Sequence, residues 1–234
     1  MIARASRKPF GSGSSAVRTC SPARSQRTPL RCAATVHDVL SDVPDTAACR
    51  SALEVATEYC SPALLNHCVR SYLWAAHLGA ARAMSVDAEL LYVAAVLHDL
   101  GLLAEFDTHV LPFEVGGGHV AAVFAAGAGW PADRRRRVAG VIVAHMADSV
   151  DPGADPEGFL LERATAFDIS GRAPEDFPEE LRAAVLDRYP RLELAAELIA
   201  CLEEQARRKP GSQAAAAVRA GIAGRLAANP LEGR

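Results

Sequence analysis

The chain has 234 residues, half of them hydrophobic, with 25 Lys and Arg against 28 Asp and Glu. That is long enough to bury a substantial core, and the ordinary charged fraction of 23% argues against a chain that is disordered throughout. Its longest apolar run, Leu90 to Leu97, falls far short of a bilayer span, so no membrane association is expected.

Charge divides unevenly. Residues 1–37 hold seven basic residues (Arg4, Arg7, Lys8, Arg18, Arg24, Arg27 and Arg31) and no acid, which leaves 18 basic and 28 acidic residues, a net −10, for the remainder. An acidic domain is a poor ligand for phosphate backbones, so no nucleic-acid partner is expected. Residues 1–35 are rich in Ser, Arg, Pro and Thr, lack apolar periodicity, and read as a disordered extension. Such an acid-free, Arg/Ser-rich start is also the composition of an organelle transit peptide, and Leu30-Arg31-Cys32-Ala33 is similar to a plastid cleavage site. An over-extended start is the equal alternative. The expected location is intracellular and cytoplasmic, or plastid if the segment is a targeting signal. Six cysteines with no C-x-x-C spacing read as reduced thiols.

Residues 36–234 read as one all-α domain with its core at about 60–172. Asp45 or Thr46 can cap a helix running to about Cys60, and Ser61-Pro62 supplies an N-cap and an N1 proline for the next, to about Met84. Asp87 caps a strongly apolar helix, Ala88 to Leu100, closed by Gly101. A loop with Phe106, His109 and Pro112 leads to a helix from Phe113 to about Ala126. Pro131 opens another to about Asp148. A Pro/Gly/Asp-rich loop, Ser149 to Gly158, precedes a helix carrying Asp168. Later helices are expected over roughly Pro174–Arg188, Arg191–Arg208 and Ser212–Ala228, with Asn229-Pro230 as the stop. No period-2 strand and no repeat stand out.

Four polar residues lie in stretches that otherwise read as buried apolar helix: His67, the pair His98-Asp99, and Asp168. Buried carboxylates and imidazoles are costly unless paired or metal-bound, and two His with two Asp make a mixed N/O set for a divalent cation, compatible with Zn, Fe, Mn, Co or Ni. The His-Asp dipeptide alone is cheap. His37-Asp38, in a polar stretch, serves as the internal control. His98-Asp99 differs because it ends the run Leu90–Leu97, a helix apolar all round and therefore central. His67 taken alone reads as a surface or hydrogen-bonded core histidine. Asp168 reads equally as a cap or an Arg partner, and His145, on the face of Val138, Val141 and Ile142, as a hydrogen-bonded core histidine.

In this order the residues resemble the HD superfamily, helical metal-dependent phosphohydrolases named for the His-Asp pair. The order is met by His67, by Val96-Leu97-His98-Asp99-Leu100-Gly101, and by Asp168, over about Asn66 to Gly171. A closer resemblance is to the cyanamide-hydratase-like branch, carried by Asn66-His67-x-x-Arg70-x-Tyr72-x-Trp74, by Phe113-Glu114-Val115-x-Gly117-Gly118 and by Val143-Ala144-His145. Two-metal members of the superfamily place a further His where Phe113 stands here, so one metal is expected, although His119 is close enough to compensate.

The resemblance implies His67, His98, Asp99 and Asp168 as ligands, with a water activated by the cation. Asp99 or Glu114 would be the general base, Arg70 would stabilise developing negative charge, and His145 would be a general acid or substrate contact. Glu114 reads equally as a first-turn acid favoured by the helix dipole. The loop Phe106–Phe113 is expected to overhang the site as a lid. Three functions stay open. The first is a hydrolase or hydratase of a small nitrile- or cyanamide-like C–N substrate. The second is a phosphohydrolase of a nucleotide or other phosphomonoester, for which no basic cluster beyond Arg70 is evident. The third is a non-enzymatic helical module with a relic site. A homo-oligomer through the Ala-rich segment Ala214–Ala217 is possible; the same segment can equally pack on its own core.

Overall fold

The computed structural model describes residues 43–232 together with Thr28 and Pro29. The expectations placed on residues 1–35, and the His37-Asp38 pair, otherwise lie outside the described residues. The described residues form an all-α fold of ten α-helices: α1 (Ala47–Tyr59), α2 (Pro62–Ala81), α3 (Ala88–Leu97), α4 (Phe113–Gly127), α5 (Ala132–Ala144), α6 (Pro156–Ser170), α7 (Glu179–Arg188), α8 (Leu194–Arg208), α9 (Gln213–Arg219) and α10 (Ile222–Ala227). Among these residues the only β pairing joins β1 (Thr28–Pro29) to β2 (Ser85–Val86) in antiparallel register. Two residues are too few to leave a period-2 signal. No helix among them is long and apolar enough to cross a membrane.

Short polar side chains start the helices by accepting from the exposed amides of the first turn. Thr46 accepts from Cys49, Ser61 from Leu64 with Pro62 at the first position, Asp87 from Leu90, Asp155 from Gly158, and Ser212 from Ala215. Helix ends depart from the sequence expectation in several places, one of them the start of α7, which begins at Glu179 after a 3₁₀ turn over Pro174–Asp176 and not at Pro174. α3 stops at Leu97, with His98 as its C-cap and a 3₁₀ turn, Leu100–Leu102, beyond it. α5 stops at Ala144 with His145 as C-cap. The expected helix over 212–228 is divided into α9 and α10 by Gly221, whose φ of 78° is left-handed and breaks the hydrogen-bond ladder.

Every residue of α3 from Leu90 to Leu97 is buried, and α1, α2 and α5 pack around it. The main core joins these to α6 and to Phe177 and Leu181. A second apolar cluster is built where the C-terminal helices cover the start of α2: Leu194, Leu198, Leu202 and Ala214 meet Leu64, Leu102 and Phe113. Ala214 and Ala215 are thereby buried inside the protomer. Close approach of α4 to the break after α3 depends on glycine. A Cβ on Gly101 would lie 2.0 Å from the Phe113 carbonyl oxygen, and one on Gly117 would lie 3.1 Å from the His98 carbonyl oxygen.

Candidate metal centre

His67 comes from the second turn of α2; His98 and Asp99 lie in the break after α3; His145 closes α5. Ligand atoms of His67, His98 and Asp99 all lie within 4.8 Å of one another, and all three residues are buried. Nε2 of His67 and Nε2 of His98 are 3.2 Å apart, and the Asp99 carboxylate lies 3.5 Å from the first and 3.2 Å from the second. His145 Nε2 lies 3.9 Å from the same carboxylate.

The tautomers follow from the far nitrogens. His98 Nδ1 meets the Ala95 carbonyl at 2.7 Å, and His145 Nδ1 meets that of Ile142. His67 Nδ1 meets the Asp168 carboxylate at 2.7 Å. A carbonyl or carboxylate oxygen only accepts, so each Nδ1 carries the proton, and in each neutral ring Nε2 is left with a lone pair. Two lone pairs face to face at 3.2 Å repel. A proton between them would require a buried imidazolium, whereas a divalent cation would satisfy both nitrogens and Asp99 together. The donor set therefore fits a metal.

The electrostatics agree for three of the four groups. Burial pushes His67 down, and Asp168 only partly offsets it. Burial and the neighbouring His98 push His145 down to about 3. Burial works to raise Asp99, but His98, His67 and His145 outweigh it and hold the carboxyl well below its usual range. An ionised Asp and neutral imidazoles are what a metal takes up. His98 is the exception: burial works to lower it, but the adjacent Asp99 carboxylate raises it overall.

Asp168 was expected as the fourth ligand, and the structure places it one step further out. It meets His67 at Nδ1, the ring nitrogen turned away from His98 and Asp99. Its Oδ1 accepts from Arg70 Nε and Trp74 Nε1, both at 2.8 Å, and its Oδ2 accepts from Arg70 Nη2 at 2.8 Å. Arg191 Nη1 approaches the same oxygen at 3.4 Å. A carboxylate offers about four lone-pair directions, and these contacts fill them. Arg70 is likewise placed differently from the expected anion-stabilising role. It is fully buried, forked on Asp168 through Nε and Nη2, with Nη1 donating to the carbonyls of Tyr189 and Pro190. Its one-turn spacing from His67 put it on the right face, but the acid opposite it claims the guanidinium.

His67, His98, Asp99 and His145 open onto a cavity of about 570 Å³. Its walls are largely apolar: Leu102, Phe113, Met146, Ile169, Leu198, Leu202 and Ile222. Glu114 is not on the wall. It is buried next to Phe113, with one carboxylate oxygen lacking a partner among the described residues, and burial raises its pKa. The expected lid also differs. Of the loop 106–113 only Phe113 lines the cavity, while Phe106 packs edge-on against Tyr59. The opposite wall comes instead from α8, α9 and α10. Sequence reasoning passed over Glu162, a buried cavity-wall acid paired with Arg172, and also Arg191 and Asn229, which hold the main chain of Asp168. Arg191 follows Pro190 in the turn between α7 and α8, and Asn229 precedes Pro230 in the turn after α10, where nothing in the residue pattern marks them.

No curated protein matches the chain. A family model described as HD domain matches residues 64–192, a span holding all of His67, His98, Asp99, His145 and Asp168. Proteins of this family are mostly metal-dependent hydrolases, and the buried cluster of His67, His98 and Asp99 could hold such a metal. With the order of its His and Asp residues, its helical fold and a match over more than half its length in agreement, the chain belongs to the HD domain family.

Proposed function

We propose that this chain is a metal-dependent hydrolase or hydratase that adds water to a small C–N substrate of nitrile- or cyanamide-like character. The observation that carries it is the pair of opposed Nε2 lone pairs, 3.2 Å apart beside Asp99, on a largely apolar cavity. His67 and His98 through Nε2, and Asp99 through its carboxylate, would hold one divalent transition metal, Zn or Fe/Mn, with Asp168 orienting His67 from behind. The cation supplies an acidified water and a Lewis acid for the substrate.

The chain's own residues handle the protons. His145 Nε2 is unprotonated and faces Asp99 at 3.9 Å, so it can accept a proton from the attacking water and return it to the substrate nitrogen. Burial keeps this imidazole neutral, so Nε2 offers a lone pair to the water or substrate, while the same burial makes it a weak base whose proton must pass on at once to the substrate nitrogen. The cavity wall next to the cluster is mostly apolar, which favours a substrate with little charge, while Glu162, Arg172 and Arg225 are its charged members beyond the cluster. The matching segments around Asn66–Trp74 and Phe113–Gly118 support the cyanamide-hydratase-like branch.

A phosphomonoester is the second reading, favoured by Arg172 and Arg225 on the cavity wall. Both are exposed, and Arg172 is already paired with Glu162, so the buried part of the cavity offers no free guanidinium for a phosphate. Elemental mass spectrometry of the purified protein, then turnover on parallel panels of small nitriles, cyanamides and phosphomonoesters, tests the reading. About one equivalent of metal with C–N hydration supports it. Phosphate release alone selects the second reading, and no metal after loading and dialysis leaves a relic site.

A further inference from the structure

Asp168 is held in two separate ways. Its carboxylate is gripped entirely from α2 by His67, Arg70 and Trp74, apart from the long approach of Arg191. Its main-chain carbonyl lies in the last turn of α6, where helix carbonyls have no amide partner four residues on. Two side chains fill that gap: Arg191 Nη1 donates at 2.6 Å and Asn229 Nδ2 at 2.8 Å. Asn229 Oδ1 accepts from Leu231 N at 2.9 Å, which fixes which way the amide faces. Arg191 is aimed in turn by Glu232, on Nε at 2.6 Å. The turn is seated by Pro230, which packs so tightly on Gly171 that a Cβ there would lie 2.5 Å from the proline Cδ. Asn229 and Arg191 are both buried.

We propose that the turn Asn229–Glu232 is a latch for the metal centre, with Asn229 and Arg191 as positioning residues that set the main chain of Asp168 and so the orientation of His67. The inference rests on the metal-centre reading above. Arg191 lies at the edge of the span shared with the family, whereas the turn Asn229–Glu232 lies outside it and reaches back to a ligand's orienting partner. The coupling runs from Asn229 and Arg191 to the Asp168 carbonyl, through its carboxylate to His67 Nδ1, and across the ring to Nε2. A direct outer partner such as Asp168 is worth about 10–100-fold in metal affinity, and residues that act through it are expected at the low end of that range.

The test is Co(II) titration of the full chain, read by its visible ligand-field absorption, for the parent, Asn229→Asp, Arg191→Lys and Glu232→Gln. Asn229→Asp keeps the acceptor for Leu231 and replaces the donor to Asp168 with an oxygen. The expected result is a Kd raised about tenfold in Asn229→Asp and Arg191→Lys, a smaller rise in Glu232→Gln, and a shifted absorption spectrum, with helical circular dichroism unchanged. Should a buried-site variant fail to fold, Glu232→Gln, on a partly exposed side chain, carries the measurement. Parental Kd and spectrum in every folded variant overturn the latch. If the parent takes up no metal, the metal reading fails and the latch is decided on the metal-free protein by NMR. The downfield His67 Nδ1–H resonance is expected in the parent and broadened by exchange in Asn229→Asp, and an unchanged resonance in the variant overturns the latch.

Discussion

His98 and His145 occupy the same position on two different helices. Each is the C-cap, each turns its ring back so that Nδ1 donates to the carbonyl three residues earlier, and the two rings meet edge to face with centroids 4.8 Å apart. A helix end has orphan carbonyls to satisfy. Here that local need fixes the tautomer and points Nε2 forward into a shared space.

The two histidines should nevertheless separate by role. His98→Ala removes one of three clustered ligands, and metal content should fall from about one equivalent to near zero. His145→Ala should keep its metal and lose about 10²–10⁴-fold in kcat, the usual worth of a proton-transferring group. Elemental analysis beside steady-state kinetics distinguishes them, and loss of metal in His145→Ala would make His145 a ligand instead.

Asp168→Asn preserves shape and removes the charge that balances buried Arg70 and Arg191. Breaking such a buried arrangement by deleting one partner costs about 3–5 kcal/mol. Urea denaturation of the metal-free variant should show a loss of that order. A loss below about 1 kcal/mol, the usual worth of an exposed pair, would mean that water or another group takes over the arginines.

The cluster of His67, His98 and Asp99 was legible in the sequence; how its neighbours connect was less so. His98 and Asp99 stand out because a helix buried on all sides has no room for polar residues without compensation, and His67 shares a helical face with Arg70. Spacing says which residues share a face but not what stands across from it. Arg70 and Asp168 were thus both identified, while their bond to one another, which takes Arg70 away from the cavity, was not. The helix break at His98 lies where α4 approaches the backbone closely through Gly101 and Gly117, a contact that spacing along the chain does not announce. The wall built by α8–α10 needed the fold, since an amphipathic helix does not name the surface it covers.

Gly101→Ala should be disproportionately harmful for a single methyl group. Its Cβ would fall 2.0 Å from the Phe113 carbonyl oxygen and 2.8 Å from the Gly117 amide nitrogen, both backbone atoms that no rotamer change can move. α4 must shift away from the break that carries His98 and Asp99. A loss of about 1–3 kcal/mol is expected together with weakened metal retention. Thermal melts and dialysis against chelator would measure both, and a parental melt would show that α4 moves freely.

Arg225 separates the two substrate readings. Arg225→Glu reverses the charge of an exposed side chain on the cavity wall that donates to the Ala220 carbonyl. On a neutral C–N substrate kcat/KM should stay within about twofold, whereas on a phosphomonoester it should fall tenfold or more as the anion meets a carboxylate. Equal losses on both would place Arg225 in the fold rather than in recognition.

Asp107 links the loop after the His-Asp break to the end of α8, and it sets an acid limit on stability. Burial works to raise its carboxyl, but hydrogen bonds from Lys209, Gln205 and Arg208 outweigh that and hold it below the ordinary value of 3.8. Lys209 donates at 2.6 Å and Gln205 at 3.0 Å, and the Asp107 side chain is only 13% exposed. A carboxyl depressed in the folded state stabilises the fold above its unfolded pKa, and that contribution is lost as pH falls through the folded value. The melting temperature of the metal-free protein should therefore drop below about pH 4, for which Asp107 is one source and Asp176, held down against burial by Arg163 and Arg82, is another. Asp107→Asn should melt lower than the parent at pH 7 and approach it at the acid end, because the parent loses there what the variant lacks throughout. A constant gap between the two across pH 3–7 would show that Asp107 acts by shape and not by charge.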